Sequence, residues 1–562
     1  MVEKLSVSAL ETTPSLWLEF GLPCMRSKPA RRRWCWLPRI LLVASLVYAS
    51  LVLFWSVYSI DALTSRSDSS KVDANGVSSA VSQGQMAVKD YPRGQTKSRN
   101  LRCIGWRATR RCSPDGRRDT EQDRNCTQTV SNEESGYCEV EDVDSGERFR
   151  VMRRHCNSIR HNVPFRCESA PDFANFRVEM HHVAEKALDP RFMLPNVVQT
   201  EQAPRDGIVM VVYPKLLASA YATIKVLREV LGCRLPIEIW YRPDELKRSD
   251  ERLTHLRHLA DKDKFIMFQE IDDPLAKRFV AKIHAIYYSS FDRVLFLDAD
   301  NTPVRDPSFL FESPEFVKTG AVFWPDFWFP DSTIFGVHEN SLLWELLDMP
   351  FVDMFEQESG QLIVDRGRHA APLELVRSYA LHSPNFFSDL KLVWGDKDLF
   401  RLAWLKLNVP FHMIQTPPGM AGVVVDTFLR SDFCGMTMVQ HDANGDVLFL
   451  HRNQHKLTGK HREKQEDENE RTAVQHASSE YEDPAIWTHL FRFRKESRTR
   501  DYLIQSFRVK LDFDENQKCF GRRDIYRNPH FSVQEIANFY FSGLESHLRQ
   551  FALESHVDIS GT

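Results

Sequence analysis

"RVLFLDADNTPVRDP", residues 293–307, decides how this chain is read. Val294, Leu295, Phe296 and Leu297 are apolar without alternation, the pattern of a central strand covered on both faces. Asp298 and Asp300 follow, with only Ala299 between them. In extended backbone residues i and i+2 share a face, so both carboxylates can converge. Converging carboxylates repel unless a cation neutralises them. Hard oxygen donors with room for water suit Mn2+ or Mg2+, and substrate phosphates often complete the coordination of such ions. Ligands of an open α/β sheet bind beyond the carboxyl ends of its strands, where these two acids stand. A nucleotide-diphosphate sugar is the substrate class that fits, the metal stabilising the diphosphate as it leaves. The plain alternative is an Asp that only caps the turn after a strand.

Working outward, short apolar runs at 208–213 and 265–268 and a strand-like stretch at 235–241 alternate with helical patterns. One of these carries Ala218, Ala222, Val226, Leu227 and Val230; another covers 279–288. That alternation predicts a parallel α/β sheet. Strands are expected at 320–324, 359–365, 409–414 and 447–450, and helices around 372–382 and 398–407. The α/β domain is placed at 200–460, a charged loop at 461–482, and a helical extension at 483–562 with a helix over 533–551.

Upstream the composition differs. Residues 40–60 carry no charge, and as a helix they would span roughly 32 Å, enough to cross a bilayer. Arg26, Lys28, Arg31, Arg32, Arg33 and Arg39 precede this span, which puts residues 1–39 in the cytosol and the rest across the membrane. A cleaved signal peptide is disfavoured by the late start and the lack of a small-residue cleavage site. Residues 61–100 read as a flexible stem and 101–168 as a Cys-rich module with few core residues, stabilised by disulfides. Cys103, Cys112, Cys126, Cys138, Cys156 and Cys167 lie there without any C-x₂₋₄-C unit, so disulfides are favoured over zinc and all pairings stay open. Cys233, Cys434 and Cys519 leave an odd thiol, compatible with dimerisation through it or through the stem. Asn125 opens the usable glycosylation sequon. A net charge of −4 gives no reason to expect a nucleic-acid partner.

The segments "LGCRLPIEIWYRPDEL" (231–246), "AKIHAIYYSSFDRVLFLDADNTPVRDPSFLFESPEF" (281–316), "TGAVFWPDFW" (319–328), "ESGQLIVDRGRH" (358–369), "WGDKDLFRLAWLKLNVPF" (394–411) and "LHRNQH" (450–455) occur in this order. Over about 205–460 the chain resembles the Golgi α-mannosyltransferases that extend mannan and outer-chain glycans. The Cys-rich module is no part of that pattern. The resemblance implies a GT-A fold, Rossmann-like and specific for nucleotide-diphospho-sugars, behind one membrane helix. It implies a type II Golgi membrane protein with a lumenal catalytic domain. The implied reaction moves mannose from GDP-mannose, with retention, onto a glycan or glycoprotein acceptor.

Residue by residue, the resemblance makes Asp298 and Asp300 the metal pair, with Asn301 at its border and His451 as a third ligand. Lys282 and Lys456 would contact the donor diphosphate. Trp324, Asp326 and Trp328 would line the sugar pocket, with a core aromatic cluster as the alternative for the tryptophans. Gly360, beside Gln361, would permit close approach of a sugar. Asp396 and Asp398 open a helix: Asp398, like Gln361, would line the acceptor or sugar pocket, and Asp396 would sit near the anomeric carbon or bind the acceptor hydroxyl, with an N-cap as its alternative. Lys282 and His451 also admit plain structural readings. No dedicated nucleophile stands out, so front-face attack is preferred to a covalent intermediate, with Asp326 and Asp396 as the acids to test. Two rivals remain: the same fold with a UDP-sugar donor (glucose, galactose or xylose), and an inactive lumenal carbohydrate-binding scaffold.

Overall fold

Three β-sheets organise the computed structural model, which describes residues 88–198, 203–460 and 482–556. The first holds β1 (Lys89–Asp90), β2 (Leu101–Thr109), β3 (Ser135–Asp142) and β4 (Arg148–Arg154), and leads into helix α1 (Ala170–Ala187). Next come β5 (Asp206–Val211), α2 (Leu217–Lys225), β6 (Ile237–Tyr241), α3 (Thr254–Lys262), β7 (Ile266–Glu270), α4 (Val280–Tyr288) and β8 (Arg293–Leu297). They are followed by β9 (Asn301–Pro303), α5 (Pro314–Thr319), β10 (Ala321–Pro325), α6 (Leu342–Leu346), β11 (Gln357–Asp365), α7 (Ala370–Leu381), α8 (Phe386–Asp389), α9 (Leu399–Lys406) and β12 (His412–Met413). The chain ends with β13 (Gly419–Asp426), β14 (Ser431–His441), β15 (Val447–His451), β16 (His489–Phe493), β17 (Gln505–Leu511), β18 (Asp514–Arg522), β19 (Phe531–Glu535) and α10 (Leu544–Glu554).

The central sheet has the order β12-β10-β11-β8-β5-β6-β7. Strands β8, β5, β6 and β7 run parallel, as the alternation of strands and helices predicts. The sheet is nonetheless mixed, because β11 runs antiparallel to both β8 and β10. The sequence pattern could not separate these cases, since a strand buried on both faces is a continuous apolar run in either direction. Val294 to Leu297 are fully buried in the middle of this sheet. β8 therefore delivers Asp298 to its carboxyl edge.

The span 40–60, the tail 1–39, most of the stem and most of the charged loop at 461–482 lie outside the described residues. Among the described residues no helix is long and apolar enough to cross a membrane. The stem ends earlier than expected: β1 pairs with β4, and Tyr91 is buried. The Cys-rich module also has more core than its composition suggested. Trp106, Val140, Val151 and Phe165 are buried in it and join one hydrophobic cluster with α1, α7, α8 and the central sheet. Its bridges are Cys103–Cys126, Cys112–Cys156 and Cys138–Cys167, and Asn125 stands exposed beside the first. A further disulfide joins Cys434 to Cys519, leaving Cys233 as a buried free thiol.

The C-terminal segment holds more strand than helix among the described residues, contrary to the helical extension expected at 483–562. β16 to β19 extend the third sheet, in the order β17-β18-β14-β13-β16-β19. The expected helix over 533–551 is shortened to α10, because 531–535 pairs as an edge strand with β16 and Gly543 interrupts the chain at φ +89°.

Candidate active site

Three separate pieces of backbone meet at the end of β8. Asp298 follows β8, and its N–H donates to the Gly360 carbonyl at 2.9 Å. Asn301 begins β9, which pairs with β15 so that Asn301 stands opposite His451. The carboxylates of Asp298 and Asp300 and the His451 imidazole converge, with one ligand atom from each lying within 4.8 Å of the others. His451 Nε2 is 3.4 Å from Asp300 and 3.9 Å from Asp298. Its Nδ1 lies 3.2 Å from Glu358 Oε1. A carboxylate behind the imidazole fixes the ring and turns Nε2 toward the acids, an arrangement that metal-ligating histidines recurrently use.

Four carboxylates (Asp298, Asp300, Glu358 and Asp396) share this cluster with two ammonium groups, Lys282 and Lys456. Lys282, from α4, is buried, and its Nζ donates to the Ser359 carbonyl at 2.7 Å while standing 3.3 Å from Asp298 and 3.2 Å from Asp396. Burial opposes its charge, but Asp298 and Asp396 more than offset this and raise its pKa. Burial likewise opposes charge on Glu358, yet the His451 hydrogen bond and the nearby Lys282 hold it down at about 2. Burial raises the Asp396 carboxyl. Lys456 contacts Asp300, and burial lowers its pKa to about 8. The carboxylates outnumber the ammonium groups, and the donor set of two carboxylates and one imidazole suits a divalent cation.

This cluster floors a cleft of about 670 Å³. Its wall is drawn from several elements: Tyr213 after β5, Arg242 and Glu245 after β6, Ser359 on β11, and Trp394 and Asp396 ahead of α9. Of the site residues expected from sequence, Lys282, Asp298, Asp300, Asp396, His451 and Lys456 are brought together on its wall.

The remaining candidates stand behind that wall. Asn301 is fully buried, and its amide donates to the Gly360 carbonyl at 2.8 Å and to Gln361 Oε1 at 2.6 Å. Both side chains buttress the site rather than face a ligand. Gly360 is small because His451 needs the space: a Cβ there would lie 2.5 Å from Nδ1. The expected contact with a sugar is replaced by one with the imidazole. Trp324 is fully buried and donates Nε1–H to the His441 carbonyl at 2.8 Å, while Trp328 packs against Phe335 and Phe520. Both are core residues.

Asp326 pairs with Lys397 at 2.9 Å, and burial pushes its carboxyl up to about 7. Glu356 and Asp398 complete this buried cluster around Lys397. Asp398, at φ +71°, accepts the Gln357 N–H at 2.8 Å and pairs with Arg401, a bracing role at the start of α9. Sequence reasoning gives no role to Glu358, Trp394 or Lys397. Glu358 carries no sequence signal, because it lies in the polar first half of β11 beside Gln357, Ser359 and Gln361.

Residues 205–442 match the family model described as "Mannosyltransferase putative". Over this segment the chain is similar to mannosyltransferases. The Saccharomyces cerevisiae α-1,2-mannosyltransferase MNN5 is 27% identical over 303 residues, covering 45% of this chain and 51% of that protein. The Candida albicans α-1,2-mannosyltransferase MNN24 is 29% identical over 270 residues, 41% of this chain and 37% of that protein. The chain thus spans about half or less of the length of these relatives. The solved mannosyltransferase Ktr4p from S. cerevisiae aligns at 14% identity over 41% of this chain and 75% of that one, with a TM-score of 0.26, too low to establish a common fold. The family-model match ends short of β15, and the place of His451 in the cluster is given by the geometry.

Proposed function

We propose that the protein is a metal-dependent glycosyltransferase of GT-A type that moves mannose from GDP-mannose onto a glycan or glycoprotein acceptor, with retention, in the Golgi lumen behind an N-terminal membrane anchor. The observation that carries the reading is the convergence of Asp298, Asp300 and His451 at the carboxyl edge of a buried strand, in a chain similar to mannosyltransferases. The names of the relatives support mannose as the transferred sugar.

Asp298, Asp300 and His451 would hold Mn2+ or Mg2+. When bound there, the ion supplies positive charge to the departing diphosphate. Glu358 keeps the His451 imidazole oriented. Lys282 neutralises Asp298 and Asp396 and pins the Ser359 backbone, so the floor of the cleft is preorganised before substrate enters. Lys456, less deeply set than Lys282, is the cation best placed to meet a phosphate. Asp396, on the cleft wall beside Lys282, is the carboxylate that would hold an acceptor hydroxyl.

The test is nucleotide release by residues 62–562 with Mn2+ and a panel of GDP- and UDP-sugars, with and without mannose oligosaccharides. GDP release from GDP-mannose, abolished in Asp298→Ala/Asp300→Ala, is expected. Release from a UDP-sugar instead would overturn the donor, and no release from folded protein would overturn the activity.

A further inference from the structure

Three aromatic side chains on the cleft wall are well exposed, Tyr213 and, more openly, Phe279 and Trp394. Phe279 is 49% exposed and Trp394 51%. Gly395, at φ +63°, lets the chain turn directly after the indole, and a Cβ there would lie 2.7 Å from the Phe279 ring. Both rings therefore belong to one wall. Trp394 is held in place: Phe335 stacks on it with centroids 5.5 Å apart and planes 30° apart. The Arg160 guanidinium lies 5.7 Å from the centroids of both rings.

Arg160 comes from the Cys-rich module, just beyond Cys156 and outside the 205–442 match. Its loop is fastened to the α/β domain by its neighbours. The Leu342 N–H donates to the Ser158 carbonyl at 3.3 Å, and His338 Nε2 lies 3.0 Å from the Asn157 carbonyl. Phe279 and Trp394 together form a half-open aromatic patch in a concave site, and a clustered apolar patch there marks a ligand surface where a lone exposed aromatic would not. An exposed indole with a guanidinium close by matches a pyranose ring, whose C–H face is apolar and whose rim carries hydroxyls.

We propose that Trp394, positioned by Arg160 of the Cys-rich module, is an acceptor subsite for a sugar ring other than the one carrying the reacting hydroxyl. The inference rests on the mannosyl-transfer reading above. The module thereby takes part in acceptor choice.

The experiment compares wild type, Arg160→Ala and Trp394→Ala with GDP-mannose and two acceptors, methyl α-mannoside and mannotetraose, and measures mannotetraose binding by calorimetry without donor. In both variants KM for mannotetraose should rise about tenfold, with kcat, donor KM and the methyl α-mannoside KM changed less than about twofold. An unchanged mannotetraose KM, or an equal rise for both acceptors, overturns the proposal. If no donor turns over in wild type, the transfer reading fails, and calorimetry still decides the subsite through a loss of mannotetraose affinity in the variants or its absence. Should Arg160→Ala lower the melting temperature too far to assay, Trp394→Ala, which alters a side chain already half in solvent, decides between the same two outcomes.

Discussion

At the scale of single residues, Glu358 is the side chain whose role is most sharply testable. It touches no ligand-facing atom of Asp298 or Asp300, yet it holds Nδ1 of the imidazole that completes the cluster. Removing such a partner typically weakens metal binding by 10–100-fold. Glu358→Gln should therefore raise the Mn2+ concentration needed for half-maximal nucleotide release by about that range, with activity recovered at high Mn2+; loss that no Mn2+ concentration restores would contradict this role. The two aspartates are legible in sequence because an acid pair after a buried strand is anomalous. His451 is legible for the same reason, as a polar residue ending the run at 447–450. The tryptophans are not, because Trp324 and Trp328 look alike in sequence whether they face a sugar or the core. Gly360 does mark a point of close approach, but the approaching group belongs to the chain itself.

Among elements, β14 connects the site to the C-terminal sheet. It pairs with β15, which carries His451, and with β13 and β18. The Cys434–Cys519 bridge staples β14 to β18 across a sequence separation of 85 residues. Replacing both cysteines by serine should cost about 2–4 kcal/mol of stability, read as a lowered melting temperature or denaturant midpoint. An unchanged midpoint would mean that sheet pairing alone holds these strands together. The same segment marks where reading by pattern fails. Residues 533–551 contain apolar residues at helical intervals, but Phe531 to Glu535 lie along the edge of β16, and backbone pairing with a distant strand leaves no local trace. Strands such as β8 are readable because burial on both faces makes them continuous apolar runs; their direction is not.

For the molecule as a whole, two buried histidines set an acid limit. Burial lowers the pKa of His441 to about 3 and that of His369 to about 4. In the unfolded chain a histidine titrates near 6.5, so as pH falls below that value the unfolded state takes up protons that the fold refuses. Their contribution is intact above about pH 6.5 and is lost on acidification, at roughly 1.4 kcal/mol per pH unit for each. His441→Phe should flatten the fall in melting temperature between pH 7 and pH 5, recovering about 2 kcal/mol of the acid loss. Parallel curves for variant and wild type would exclude His441 as a source.

The hydrophobic cluster that runs from Trp106 and Phe165 through Phe173 and Phe176 to Phe296 carries a practical consequence. The boundary drawn by family resemblance, near residue 205, is no boundary for folding. A recombinant fragment starting there would lack α1 and the Cys-rich sheet and would present their aromatic partners on α7 and α8 to water, inviting aggregation. The shortest piece expected to stay monodisperse in an oxidising expression host begins ahead of Lys89. In this protein the part outside the family match is built into the same core as the part within it.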